Sequence, residues 1–297
     1  MSEEALRGLT VSAFHDLLDD GELTVETAVQ WYLDRIDQYD RSGPGLNAVV
    51  TVNDEALSRA TQLDQAFADE GFVGPLHGVP VLLKDQAMTA GLRTTFGSEA
   101  FADYVPETNA TIVDEIESAG AVILGKTNLP DFAAGFVGYS SVHGQTRNPY
   151  ALSRDSGGSS AGTGAGIAAD LGLVGIGEDT GGSIRVPASF CNLFGLRVTT
   201  GLISRTGMSP LVAEQDTPGP MCRTVGDLAR VLDVIVGFDP TDEATAVHAD
   251  WSSDRSFREA CDETALEGAR IGVLRDAFGD SDEHRVTAVT ETVDSAL

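Results

Sequence analysis

The stretch from Gly157 to Gly195 constrains this chain more than any other. It reads GGSSAGTGAGIAADLGLVGIGEDTGGSIRVPASFCNLFG, two serine-bearing glycine clusters separated by an apolar run. Glycine at this density is a poor former of helix or strand. Its concentration around Ser159, Ser160 and Ser183 predicts backbone that approaches another group closely and leaves N–H groups free to point at it. Thr180 to Ser183 would offer four successive N–H groups ahead of a helix, the geometry of an anion or oxyanion nest.

The surrounding pattern predicts an α/β fold. Val11, Phe14, Leu17 and Leu18 share a helical face that Gly21 ends. Thr24 is placed as the N-cap of a second helix carrying Val25, Ala28, Val29, Tyr32, Leu33 and Ile36. Ala48 to Val52 reads as a strand, Glu55 to Glu70 as a helix, Val79 to Leu83 as a buried strand, Asn109 to Ala119 as a helix and Ala121 to Leu124 as a strand. Val286, Val289 and Val293 mark a further amphipathic helix near the end.

Charge makes the basic residues informative. The 297 residues carry 46 acidic and 19 basic side chains, a formal net charge of -27, with a pI near 4.2. Such a field repels nucleic acid and anionic membrane, so binding of either by the surface is not expected. The acids are spread along the chain and form no block, which favours a surface adapted to high salt over an acidic interaction surface. Lys84 and Lys126 are the only lysines. Lys84 falls at a predicted strand end, a common position for site residues in α/β sheets. Lys126, in GKTN, reads equally well as a structural lysine bonded to loop carbonyls.

Cys191, Cys222 and Cys261 are far apart and odd in number, with no CxxC and no histidine at ligand spacing. They read as core thiols of a reducing compartment, with no disulfide and no metal site. The N-terminus has no basic and apolar leader pattern, and no uninterrupted apolar run of membrane-spanning length occurs. A soluble, cytoplasmic protein is expected.

Commoner motifs fail. No lysine follows either glycine cluster as a P-loop requires. Gly164, Gly166 and Ala169 fit GxGxxA, and Gly158, Ser160 and Gly162 fit GxSxG. The preceding NPYALSRDSGG reads as turns, whereas both motifs need a strand there. His248 and His284 fall in segments read as loop and helix, and His15, His77 and His143 show no triad pattern. A nucleophilic serine at Ser183 would then look to lysine for its base.

The motifs GVPVLLKD, GKTN, GGSSAGTGAG, EDTGGSIRVPASFCNLFGLR and QDTPGPMCRTVGDLA together resemble the amidase signature family of serine amidohydrolases, clearly from about Leu9 to Asp242. The resemblance implies one α/β domain over residues 1–297, with a catalytic core at about 74–236 and a central mixed sheet flanked by helices on both faces. It implies Ser183 as nucleophile, Ser159 as bridging serine after a cis peptide, and Lys84 as base, a role that requires Asp85 to point away from it. It further implies Thr180, Gly181, Gly182 and Ser183 as oxyanion donors and Ala133 as a backbone contact to substrate. Ser160, Asp179 and Arg185 are implied as supporting groups. The expected substrate is a small amide, with no metal or organic cofactor. Ala161 departs from the glycine usual in the family. Family members continue well past residue 297, so a shortened chain that is inactive, oligomeric or dependent on a partner is the competing expectation, and the amide-hydrolysing component of a glutamine amidotransferase is the competing enzyme. QDTPGPMCRTV looks more like stand-alone amidases.

Overall fold

The computed structural model describes residues 6–249, 256–278 and 284–297. Two compact units, Met1–Cys261 and Asp262–Leu297, divide the chain. The larger opens with α1 (Val11–Asp19) and α2 (Val25–Arg35). Each starts where a threonine hydroxyl takes a first-turn N–H: Thr10 accepts from Ala13 at 3.1 Å and Thr24 from Thr27 at 3.1 Å. Their apolar faces, Val11, Phe14 and Leu18 on one and Val25, Ala28, Val29 and Tyr32 on the other, are buried. A wide turn, Ile36–Arg41, prolongs α2 beyond the predicted period.

A six-stranded mixed sheet forms the centre. Its strands are β1 (Val49–Val52), β2 (Pro80–Lys84), β3 (Val122–Thr127), β4 (Val174–Glu178), β5 (Phe194–Gly195) and β6 (Pro218–Cys222), in the spatial order β1-β3-β2-β4-β6-β5. The inner trio β3, β2 and β4 is parallel, while β1, β6 and β5 add antiparallel edges. Every residue of β2, β3 and β4 is buried, which is why these strands read as continuous apolar runs. Parallel register (Leu83 opposite Lys126 and Ile176) brings the carboxyl ends of the three strands to one edge of the sheet. Lys84, Lys126 and Glu178 all stand there.

Helices α3 (Ala56–Glu70), α4 (Thr111–Ser118), α5 (Ala161–Ala168), α6 (Arg185–Phe190) and α7 (Val225–Ile235) complete the unit. Helix α5, AGTGAGIA, is buried from Ala161 to Ile167 and lies unusually close to its neighbours. A Cβ at Gly162 would come within 2.2 Å of the Ala48 carbonyl oxygen and 2.3 Å of the Asn128 nitrogen. The Gly162 N–H donates to the Asn128 carbonyl at 2.9 Å.

Two expectations are corrected. Ala151–Asp155, predicted as part of a turn region, is a strand paired with Arg147–Asn148 in a small antiparallel ribbon. It is largely exposed and lies outside the central sheet, so the apolar pattern of a core strand is missing from it. Cys191 and Cys222 are buried as expected, but Cys261 is exposed; all three are free thiols. The smaller unit holds a short turn, Arg275–Ala277, and α8 (His284–Ala296), with an Arg275–Asp294 ion pair. Val289 and Val293 of α8 are exposed.

Candidate active site

Lys84 ends β2 with its side chain sealed from solvent. Its Nζ lies 2.8 Å from Ser159 Oγ, 3.2 Å from the Glu178 carbonyl oxygen and 3.1 Å from Glu178 Oε2. Asp85, the next residue, turns away: Oδ2 accepts from the Thr95 N–H at 2.8 Å and from its hydroxyl at 2.6 Å. Burial lowers the affinity of Lys84 for its proton, against the opposing pull of Glu178 first and then of Asp179 and Asp216. Burial likewise raises the Glu178 carboxyl above the ordinary range, while Lys84 opposes the shift.

The peptide between Gly158 and Ser159 is cis. Ser159 and Ser160 are buried just ahead of α5. The Ser160 N–H donates to the Ser183 carbonyl at 3.1 Å. Its hydroxyl both donates to the Glu178 carbonyl and accepts from the Glu178 N–H, each at 3.2 Å. Ser160 therefore ties the start of α5 to the end of β4 and to the Ser183 loop. No histidine is hydrogen-bonded to Ser159, Ser160 or Ser183 among the described residues.

Between β4 and α6 the chain forms the loop Asp179–Ile184. The Asp179 carboxylate folds back over it, accepting from the Ile184 N–H at 3.0 Å, the Arg185 N–H at 3.3 Å and Arg185 Nε and Nη2 at 3.1 Å each; Arg197 Nε adds an ion pair at 3.4 Å. Burial pushes this carboxyl upward, but those hydrogen bonds win and hold it below its ordinary value. With Asp179 engaging the N–H groups of residues 184 and 185, those of Thr180, Gly181, Gly182 and Ser183 have no protein acceptor among the described residues. The Ser183 side chain is buried and its hydroxyl is likewise unbonded among them. Gly182 sits at φ +153°, where a Cβ would press on Val186 Cγ2 at 3.2 Å and Phe136 Cε1 at 3.3 Å.

The predicted residues are thus largely brought together: Lys84 with Ser159 by a direct bond, Ser160 with the Ser183 loop, Asp179 with Arg185. Ala133 stands apart from that network. It is buried in the short turn Asp131–Ala133 at φ +61°, and its carbonyl accepts from the Gly135 N–H at 2.9 Å. Lys126 has the structural surroundings allowed for it, donating to the Ala87 carbonyl and to Thr94 Oγ1 at 2.9 Å, with Asp85 Oδ1 at 3.5 Å. Burial lowers its pKa to about 8.

Glu178 escaped the sequence reading. It closes an otherwise apolar, glycine-spaced strand, the same signal that drew attention to Lys84, but in so acidic a chain one more carboxylate does not stand out. Its Oε1 accepts from Thr180 Oγ1 at 3.2 Å, and that hydroxyl also lies 2.5 Å from Asp216 Oδ1. Glu178 borders a cleft of about 590 Å³ lined also by Gln86, Arg205, Ser209, Asp216 and Asp242, a lining that includes neither Ser159 nor Ser183. No group of three or more His, Cys, Asp or Glu side chains is arranged to hold a metal ion among the described residues. No helix among them is long and apolar enough to cross a membrane.

The family model described as Amidase matches residues 27–297. The A-type subunit of the glutamyl-tRNA(Gln) amidotransferase of Caldanaerobacter subterraneus is 39% identical over 293 residues, covering 98% of this chain and 58% of that protein. Among solved structures, the native peptide amidase of Stenotrophomonas maltophilia superposes with a TM-score of 0.89 at 38% identity, over 97% of this chain and 60% of that one. An amidase family protein from Bacillus anthracis superposes with a TM-score of 0.90 at 34% identity, over 99% and 58%. The chain therefore spans somewhat more than half the length of the relatives it matches. With a family model over residues 27–297 and relatives 38–39% identical over nearly the whole chain, the chain belongs to the amidase family.

Proposed function

We propose that this chain carries the catalytic core of a serine amidohydrolase that cleaves a carboxylic amide through an acyl-enzyme. Ser183 Oγ attacks the amide carbonyl carbon and gives its proton to Ser159, whose own proton passes to the neutral amine of Lys84. The N–H groups of Thr180, Gly181, Gly182 and Ser183 receive the oxyanion. The proton returns through Ser159 to the leaving nitrogen as the C–N bond breaks, and water then hydrolyses the Ser183 ester. Asp179 and Arg185 hold the loop in shape, Ser160 ties it to α5, and the backbone at Ala133 contacts substrate.

The observation that carries this reading is the 2.8 Å bond between the buried lysine Lys84 and the buried serine Ser159. Nζ of Lys84 has no partner besides Ser159 and Glu178 among the described residues, so Ser159 is the hydroxyl positioned to exchange a proton with it. The test is labelling with a fluorophosphonate followed by peptide mapping. Modification of Ser183, absent in Ser183→Ala, is expected; modification at another serine, or an unreactive protein, would sink the assignment.

A second reading is favoured by one finding, the 39% identity to a component of a glutamyl-tRNA(Gln) amidotransferase. On that reading the amide is glutamine and the core works beside partner proteins. Co-purification of the natively expressed protein discriminates, since a stand-alone amidase emerges without stoichiometric partners. We further read the charge of -27 as an adaptation to a salt-rich cytoplasm. The melting temperature is then expected to fall as KCl is lowered from molar to about 0.1 M, where the Debye length grows from about 3 to about 10 Å. A melting temperature independent of KCl would exclude that adaptation.

A further inference from the structure

Lys84 Nζ has three hydrogen-bonding directions in use, and Glu178 takes two of them, one through its backbone carbonyl at 3.2 Å and one through Oε2 at 3.1 Å. A neutral amine has two N–H bonds and one lone pair. If the two hydrogens stay on Glu178, the remaining direction, at 2.8 Å from Ser159 Oγ, is the lone pair. We propose that Glu178 is a positioning residue for the amide-hydrolysing reaction: its two oxygens turn the lone pair of Lys84 toward Ser159, and its charge sets the pH at which that lone pair becomes available. The inference rests on the reading of Lys84 as the base.

The surroundings leave Glu178 as the group that governs Lys84. Asp85 faces Thr95 and Lys126. Asp179 is neutralised by Arg185 and Arg197. Asp216 takes the N–H groups of Leu211 and Val212 at 2.8 and 3.0 Å and reaches Glu178 only through the Thr180 hydroxyl. Across the cleft, Arg205 is paired with Asp242 at 2.5 Å, with Glu243 in the same wall. The Thr180 hydroxyl has one proton to give and two carboxylates to serve. When it donates to Asp216, Glu178 Oε1 is satisfied only by carrying a proton of its own and donating it to Thr180. Burial pushes Glu178 toward that protonated form, its side chain being only about 1% exposed although the residue borders the cleft. Lys84 and Glu178 therefore titrate as a pair, with two apparent pKa values that belong to both.

The experiment uses the scarcity of lysine. Protein grown with lysine labelled with carbon-13 at the ε position gives two signals, and the one lost in Lys84→Met is that of Lys84. In the parent the Lys84 signal is expected to move with pH in two steps, one for each member of the pair. Glu178→Gln keeps an oxygen in reach of Nζ but removes the charge, so it should leave one step, with a midpoint at least one pH unit lower, and leave Lys126 unchanged. The acid limb of the pH profile for Ser183 phosphonylation should move down by the same amount. Glu178→Ala, which loses the side-chain acceptor, should be slower than Glu178→Gln on the plateau by about tenfold or more. A single-step titration in the parent, or coincident Lys84 midpoints in parent and Glu178→Gln, would overturn the proposal. An alanine variant as fast as the glutamine variant would overturn its positioning part. Failure of the parent to label at Ser183 at any pH would instead remove the hydrolase reading, while the lysine titration still decides whether Glu178 governs Lys84.

Discussion

Lys84 ends β2 and Lys126 stands one residue before the end of its parallel neighbour β3, with Lys126 opposite Leu83 and Thr127 opposite Lys84, and both are buried. Their nitrogens meet different company. Lys126 is held by the carbonyl of Ala87, the hydroxyl of Thr94 and the carboxylate of Asp85, all from the segment that follows β2. It pins that segment to β3. Lys84 bonds Ser159 and Glu178, which belong to the two loop-bearing ends around the nucleophile candidate. Burial weakens the hold on the proton at both nitrogens, so a shifted lysine is not by itself a catalytic one. Each amine meets a hydroxyl, and what differs is where that hydroxyl stands: Thr94 donates its own to the Leu92 carbonyl at 3.1 Å within the same loop, whereas Ser159 precedes Ser160, whose N–H is bonded to the Ser183 carbonyl.

The two lysines should differ most in the chemistry. Ser183→Ala and Lys84→Ala are each expected to slow acylation, per folded molecule, by at least about 10³-fold, the scale of a lost nucleophile or general base. A Lys84→Ala enzyme within tenfold of the parent would make the two lysines equivalent and end the distinction. Next in size is Lys126→Ala. Removing one partner of a buried ion pair costs about 3–5 kcal/mol, to be read as a lowered urea midpoint, whereas turnover per folded molecule should stay within tenfold. A smaller effect is expected at Ser160, whose hydroxyl is bonded to both backbone groups of Glu178. Ser160→Ala should cost about 1–3 kcal/mol and leave Ser183 reactive. Complete loss of labelling in a folded Ser160→Ala protein would move the bridging role from Ser159 to its neighbour.

Lys126 should also leave a weak mark on the pH dependence of stability. Lys126 titrates at about 8 in the folded protein, below its ordinary 10.5, so between those values the unfolded chain binds more protons and stability rises with pH. Below about pH 8 both states are protonated there and the contribution is flat. Urea titrations at pH 7, 8 and 9 should therefore show the parent gaining stability relative to Lys126→Met over the upper interval alone. Parallel curves would mean that Lys126 keeps its ordinary affinity for a proton.

Much of this is legible in the sequence alone. Lys84 at the end of an apolar run, Thr24 as a cap and the serine pair in glycine-rich sequence are local signals, set by strand length, capping chemistry and backbone freedom. What stays hidden depends on contacts distant in sequence. Lys84 and Glu178 meet because β2 and β4 are parallel neighbours, a pairing no single segment encodes. The burial of Lys126 depends on the loop after β2 folding over β3, which leaves its role open between two readings until that loop is placed. The exposed strand Ala151–Asp155 is illegible for the opposite reason: a ribbon with little burial imposes no apolar alternation on its sequence.

The close seating of α5 has a consequence for how such a chain can diverge. Gly162 leaves no volume between its Cα and the backbone of Ala48 and Asn128, and main-chain atoms cannot be exchanged for smaller ones as side chains can. A larger residue there has no compensating substitution elsewhere; it must lift the first turn of α5, which begins one residue after Ser160. Selection on this helix therefore acts through the shape of the backbone, and a lineage could lose its chemistry at Lys84 or Ser183 while the small residues of α5 persisted. In a sequence comparison, a preserved glycine at 162 reports that the fold is intact, and the identity of residues 84, 159 and 183 must be read separately to learn whether the core still reacts.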